Sequence, residues 1–160
     1  MAGLSHTWRT KLLANDSSAK EQVGILRSEY DTADSAMKTY RYIAYDGGTV
    51  GQNAYIGHVL LSIGSTPYCV TVDASDTTIG AYAGIAIGTI TAGYNGWIQV
   101  GPGFNSNILL ASVGGANEVL TPSTTDGLAA TAVAQLDVAP FGITLAAYAT
   151  TASAVNWLFR

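Results

Sequence analysis

The residue types best suited to acid, base or metal chemistry are thinly spread along this chain. His58 lies in the apolar run Tyr55–Leu60, where a histidine more often packs or forms a hydrogen bond than catalyses. Asp73 and Asp76 could place two carboxylates on one loop. Calcium needs roughly six to eight oxygen ligands, however, and this loop lacks the ligand pattern and the glycine of an EF-hand. We therefore expect both aspartates to hydrogen-bond turn amides, and we predict no catalytic, metal-binding or cofactor-binding residues.

A single cysteine, Cys69, limits the thiol chemistry of the chain. One thiol cannot form an internal disulfide or supply the second thiolate of a zinc site, and Cys69 alternates with apolar residues in a strand-like run. Its expected role is packing. The sequence also lacks a Gly-x-Ser-x-Gly nucleophile elbow, a phosphate-binding loop and a dinucleotide-binding glycine motif. These features predict that the protein is not an enzyme; a small enzyme using Asp, His58 or Tyr side chains is the minor alternative.

The charged residues divide the chain into two parts. Six of its seven cationic side chains precede residue 42, and the seventh is Arg160. The first part is polar and mixed in charge, as expected of a segment that stays solvated or lies along a partner. The formal charge of −4 and the sequence pI near 4.8 argue against nucleic acid as a partner, because such binding needs clustered cations. We predict an N-terminal arm, residues 1–38, and a β body, residues 39–160.

The body has the pattern of a small all-β domain. At 160 residues the chain is long enough for one packed core, and short apolar runs alternate with glycine-rich turns, which favours a β-barrel or β-sandwich. The dipeptide Asn95-Gly96 predicts a tight hairpin turn, because both residues tolerate the positive φ of a type I′ turn. The expected strands are Tyr40–Tyr45, Tyr68–Asp73, Gly84–Ile90, Trp97–Val100, Asn107–Ser112 and Ala134–Val138.

One uncharged stretch, Val138–Phe159, has about the length that spans a bilayer. It contains Pro140, Gly142 and several polar residues. Two strands and a turn explain it better than a transmembrane helix.

Three stretches together resemble the small head decoration proteins of tailed bacteriophages, also called cement or capsid-stabilising proteins. They are Gly24-Ile25-Leu26-Arg27 followed by Tyr40-Arg41-Tyr42-Ile43, Gly84-Ile85-Ala86-Ile87 continuing through Ala92-Gly93-Tyr94-Asn95-Gly96-Trp97-Ile98-Gln99, and Gly142-Ile143-Thr144-Leu145 ending in Trp157-Leu158-Phe159-Arg160. The chain departs from the family in a longer region between Gly101 and Ala134 and in a last hairpin without an Ala-Gly turn.

The resemblance implies a mainly β, tulip-like or barrel-like body with an extended or partly helical arm. It implies a virion protein that forms homotrimers, binds the outer surface of the assembled capsid and bridges subunits of the major capsid protein. We expect no cofactor, membrane or nucleic-acid partner. A phage tail or fibre subunit, or a host-surface adhesin, is the alternative. Because no secretory signal is visible at the N-terminus, we expect synthesis in the host cytoplasm and a final place on the virion.

Within this interpretation, the arm would carry the affinity for the capsid and the body would carry the folding. Trp8 and Leu12 are four residues apart and could share one face of a short helix. The sequence leaves open whether Trp8 packs back on the body or anchors the arm in a neighbour. The expected capsid-anchoring residues are Trp8, Arg9, Lys11, Leu12, Leu13 and Arg27, and the expected packing or subunit-contact residues are Tyr40, Tyr42, Trp97, Trp157 and Phe159.

Overall fold

Every regular element in the part of the chain that the structure describes is a β-strand, which confirms the predicted mainly β fold. The structure is a computed structural model, and it describes residues 7–32, 35–49, 51–64, 66–75, 79–101, 103–111, 115–131, 140–144 and 153–157. The strands are β1 (Leu26–Asp31), β2 (Ala36–Tyr45), β3 (Val59–Ile63), β4 (Cys69–Thr71), β5 (Ile79–Ala86), β6 (Asn95–Gln99), β7 (Gly103–Ile108), β8 (Val119–Pro122), β9 (Ala129–Thr131), β10 (Gly142–Thr144) and β11 (Ser153–Trp157).

Five of these strands close into a barrel. Around the barrel the order is β2, β4, β3, β5 and β6, and β6 pairs back with β2. The closing pair is antiparallel and places Tyr42 opposite Trp97, whereas β2 and β4 run parallel. The barrel interior is filled by side chains from all five strands and their connections: Ile43, Tyr45, Ala54, Leu60, Val70, Val72, Ala86, Ile90 and Ile98.

Strand β1 extends this sheet beyond the closed barrel. It pairs with β2 in antiparallel register from Leu26 opposite Arg41 to Asp31 opposite Ala36, and it is the terminal strand of its sheet. Residues 26–31 and 36–38 fall within the predicted arm. In the structure they form a β-hairpin continuous with the barrel wall, and residues 7–25 before them contain no helix.

A second sheet, with the order β7-β11-β10-β8-β9, packs beside the barrel. Val59 of β3 and Ile85 of β5 contribute to one buried cluster with side chains of the second sheet and its loops: Ile108, Leu110, Leu120, Ala129 and Phe141. The ring of Tyr82 stacks on that of Phe141, with the centroids 4.3 Å apart. The two sheets are therefore joined by this apolar cluster, which is separate from the one that fills the barrel.

The predicted turn at Asn95-Gly96 is wrong. Gly96 lies inside β6 opposite Ile43, and the chain turns at Ala92-Gly93, where Gly93 has a φ of +79° and the amide of Tyr94 donates to the carbonyl of Thr91. The local preference of Asn-Gly for a turn is overridden because the same residues complete the closing ladder with β2.

The C-terminal prediction of two strands is confirmed. β10 and β11 pair in antiparallel register, with Thr144 opposite Val155, inside the stretch that also has the length of a membrane span. The expected strand at Asn107–Ser112 begins earlier in the structure, at Gly103, and ends at Ile108. The one expected at Ala134–Val138 lies outside the described residues.

Candidate interaction surface

The N-terminal segment, residues 7–25, is held on the outer wall of the barrel by aromatic and cationic side chains. The ring of Trp8 meets that of Trp97 edge to face at 5.3 Å between centroids. The guanidinium of Arg27 lies 5.2 Å from the Trp8 ring and 5.6 Å from the Trp97 ring. Arg27 also donates to the carbonyl of Thr10 at 3.1 Å and forms an ion pair with Glu29. Each of these contacts joins the segment to the barrel or orients a residue that does.

A second attachment lies further along the segment. Asp16 and Asn95 exchange two backbone hydrogen bonds of 2.9 and 2.8 Å, so the segment adds one bridge to the N-terminal end of β6. The hydroxyl of Tyr42 donates to the Asp16 carboxylate at 2.7 Å, and the amide of Lys20 donates to the same hydroxyl at 3.2 Å. Burial and the nearby Asp16 carboxylate raise the pKa of Tyr42 to about 12, so this hydroxyl remains a donor at neutral pH.

The structure separates the six expected anchoring residues into two groups. Trp8 and Leu12 pack against the cluster of Tyr40, Tyr42 and Trp97. The Arg27 guanidinium lies near the rings of Trp8 and Trp97. Of the two alternatives for Trp8, the structure therefore shows packing against the body of the same chain. Those three side chains are engaged within the chain, whereas the exposed ones are Arg9, Lys11 and Leu13.

The expected body residues are buried where the structure describes their side chains. Tyr40, Tyr42 and Trp97 are all less than a tenth exposed and form one cluster. Trp157 ends β11, but its side chain lies outside what the structure describes, and Phe159 lies outside the described residues.

An exposed apolar patch, which sequence reasoning missed, covers one face of the hairpin formed by β1 and β2. We call it the hairpin surface: Leu26, Ser28 and Tyr30 of β1 with Met37 of β2. Leu26 is 50% exposed, Tyr30 58% and Met37 55%, and Tyr30 stands directly opposite Met37. Large apolar side chains grouped on a rigid surface mark a site of interaction more often than single exposed ones do. The alternation of Leu26, Ser28 and Tyr30 is the sequence signal that could have predicted a strand here, but these residues were assigned to the arm.

The open end of the barrel adjoins this surface. Tyr68 has a φ of +57°, an uncommon conformation for a bulky residue, and its ring is half exposed. The ring packs on Gly24, where any Cβ would collide with it, and the Arg41 guanidinium lies 5.4 Å from its centroid. Behind them is a cavity of about 150 Å³, lined by Arg41, Ile43, Ser62, Tyr68, Val70, Tyr82, Ala83 and Ile98.

The residues considered for chemistry have structural surroundings. His58 is half-buried against the edge of the Tyr55 ring, and burial lowers its pKa, so it is neutral at pH 7. Burial raises the pKa of the half-buried Cys69 thiol, which keeps it protonated and less nucleophilic. The Asp73 carboxylate accepts hydrogen bonds from Ser75 and from the amide of Thr49, which lower its pKa. Asp73 thus bonds turn amides as expected, and Asp76 lies outside the described residues.

In the described ranges, no three His, Cys, Asp or Glu side chains come together in a way that could hold a metal ion. Among the same residues there is no helix long and apolar enough to cross a membrane. Comparison of the chain with family models, with curated proteins and with solved structures gives no significant match.

Proposed function

We propose that this protein is a structural virion protein that binds the outside of an assembled phage head and stabilises it by bridging subunits of the major capsid protein. The observation that carries the proposal is the hairpin surface. Three large apolar side chains, each at least half exposed, stand on a two-stranded ladder continuous with a closed barrel. Such a surface suits adhesion, because the backbone that carries its side chains is already fixed by the ladder before a partner arrives.

The seating of the N-terminal segment supports the same role. Since the segment is fixed to β6 by the Asp16–Asn95 bridge and by the Trp8–Trp97 contact, its exposed residues are presented at defined places on the barrel. Arg9, Lys11 and Leu13 then form a second contact region, with the cations and the apolar side chain that the resemblance assigns to capsid anchoring.

The energetics favour an assembled target. Each copy that binds the lattice better than it binds a free subunit stabilises the lattice by mass action. A contact that spans two capsid subunits exists only after assembly, so its effective concentration is high on the head and negligible in solution. A modest affinity per contact is therefore sufficient when it is repeated over the head.

The experiment is co-sedimentation of the purified protein with expanded, undecorated heads of the phage that encodes it. We expect saturable binding to heads in low and in moderately high salt, and poor binding to unassembled capsid protein, because apolar contacts are not screened by salt. Met37→Glu should reduce binding at least about tenfold, since it places a charge in the apolar contact. The matched control is Val119→Glu, which changes an exposed apolar residue of β8 in the second sheet and should bind as the parent does.

Two results would contradict the proposal. One is equal affinity for heads and for free capsid subunits. The other is localisation of the protein on tails or fibres of intact virions by immunogold labelling, which would favour the tail or adhesin alternative instead.

A further inference from the structure

Strand β1 has one side bonded to β2 and one side directed away from it. The hydrogen bonds of Tyr42 with Gly24 and Ile25, at 2.7 and 3.0 Å, show which residues of β2 face β1. The carbonyl of Thr39, three residues before Tyr42, instead accepts a hydrogen bond from the amide of Val100, which lies on the opposite side of β2. Because an antiparallel ladder alternates, the even-numbered residues of β2 bond to β1. Their partners in β1 are odd-numbered, so the backbone groups of Leu26, Ser28 and Tyr30 point outward.

We propose that this outward edge pairs with β1 of a second copy of the chain, antiparallel and centred on Ser28. In this register Ser28 faces Ser28 of the second copy and the two exchange both backbone hydrogen bonds. Leu26 then faces Tyr30 of the second copy, and the reverse pair forms at the other end. The edge thus gains about six N–H···O bonds from three outward-facing residues on each side.

Charge selects this register. Centring on Ser28 places Arg27 opposite Glu29 of the second copy, twice, as a cross-strand pair of opposite charges. Arg27 and Glu29 are already an ion pair within β1, so they lie on the same face of the strand. The pairing brings the two ion pairs together as a two-by-two group in which neighbouring charges alternate in sign.

The other registers that bring outward backbone groups together are less favourable. Centring on Arg27 opposes two arginines. Centring on Glu29 opposes two glutamates and pairs Arg27 only with Asp31, a carboxylate that already forms an ion pair with Lys38. Centring on Tyr30 opposes Glu29 and Asp31. Each puts like charges directly across the ladder, which destabilises it. Centring on Leu26 leaves half of β1 unpaired and meets the irregular hydrogen bonding at Gly24 and Ile25.

The same pairing covers part of the apolar patch and extends the rest. Leu26 and Tyr30 are about half exposed in one copy, and each gains an apolar neighbour across the new ladder. The product is a two-fold symmetric, four-stranded ribbon with both copies of Met37 on one face. This self-pairing does not rest on the proposed function, since it requires only the purified chain.

Cysteine cross-linking tests the register directly. Ser28→Cys in a Cys69→Ser background places two thiols across the two-fold axis, within the Cα separation that a disulfide accepts. Met37→Cys is the matched control, because it is exposed on the same face one strand further from the edge. On mild oxidation we expect the Ser28→Cys protein to form a covalent dimer at least about tenfold faster than the control, because paired thiols have a high effective concentration.

Sedimentation equilibrium provides an independent measurement. We expect the unmodified protein to fit a monomer–dimer equilibrium, and Ser28→Pro to shift it to monomer, because proline removes an outward N–H that β2 does not use. Ser28→Ala keeps that N–H and should dimerise as the parent does. Equal cross-linking rates for Ser28→Cys and Met37→Cys would overturn the proposal. So would a protein that stays monomeric at high concentration, or a monomer–trimer equilibrium that Ser28→Pro leaves unchanged.

Discussion

Trp8 should be a stability residue of the barrel, and Trp8→Ala measures how firmly the N-terminal segment is seated. Its ring is half-buried, so truncation exposes or vacates about 100 Å², worth about 2.5 kcal/mol at 25 cal/mol per Å². Loss of the edge-to-face contact with Trp97 adds about 1 kcal/mol, and loss of the contact with the Arg27 guanidinium adds about 0.5 kcal/mol. Allowing for relaxation, we expect the free energy of unfolding to fall by about 3 to 4 kcal/mol.

The assay is urea unfolding followed by far-ultraviolet circular dichroism, which avoids the fluorescence change caused by removing a tryptophan. For a domain of this size the same loss lowers Tm by about 6 to 16 °C. The control is Leu13→Ala, five residues further along the same segment, whose side chain is 70% exposed and should cost no more than about 0.5 kcal/mol. Equal stabilities of the two variants, within about 0.5 kcal/mol, would refute the seating of the segment on Trp97.

Three further predictions concern single residues. Gly93→Ala should lower the free energy of unfolding by about 1 to 2 kcal/mol through its φ of +79° alone, since no atom lies within 4 Å of the added Cβ. Gly93→Asn should lower it less, because asparagine tolerates a positive φ better than alanine does. Equal losses for the two variants in urea unfolding would argue against a backbone cause. Burial lowers the pKa of His58, so the unfolded chain binds the proton more readily and stability should fall as pH drops below about 6.5. His58→Gln should remove this pH dependence of stability between pH 7 and 5, and an unchanged dependence would contradict the burial of His58. Hydrogen bonds also lower the pKa of Asp73, so its carboxylate stabilises the fold fully above about pH 3.9, and this stabilisation is lost as pH falls through the pKa of the folded state. Asp73→Asn should make Tm fall less steeply with decreasing pH in the acid range, and a steeper fall would contradict this.

The strands with strong local signals could be predicted from the sequence. The aromatic run around Tyr42 is β2, and the C-terminal stretch holds the pair β10 and β11, because strand propensity and alternation are local properties. The sequence predicts a barrel or sandwich only as a fold class, without the strand pairing that closes the barrel. Its closure depends on pairing β2 with β6, more than 50 residues later in the chain, and no local pattern specifies that partner.

The candidate site was harder to predict for the same physical reason. The contact of Trp8 with Trp97 joins residues 89 positions apart, and the hydrogen bonds of the Tyr42 hydroxyl with Asp16 and Lys20 depend on where the segment crosses the barrel. The hairpin surface was missed because its residues lie within the polar, cation-bearing N-terminal part of the sequence and were therefore assigned to the arm. Composition described the side chains correctly, but it did not reveal that residues 26–31 pair with the barrel.

We expect that cutting the chain after residue 23 would not separate folding from adhesion. The sequence assigned the affinity for a capsid to the arm and the folding to the body, yet Trp8 and Leu12 fill the same cluster as Trp97. A deletion of residues 1–23 would uncover that cluster and remove the Asp16–Asn95 bridge, so lost binding would report a damaged barrel as readily as a lost contact. Substitutions that leave the cluster intact avoid this ambiguity. Leu13→Glu tests the exposed part of the segment, Met37→Glu tests the hairpin surface, and neither removes a side chain from the buried core.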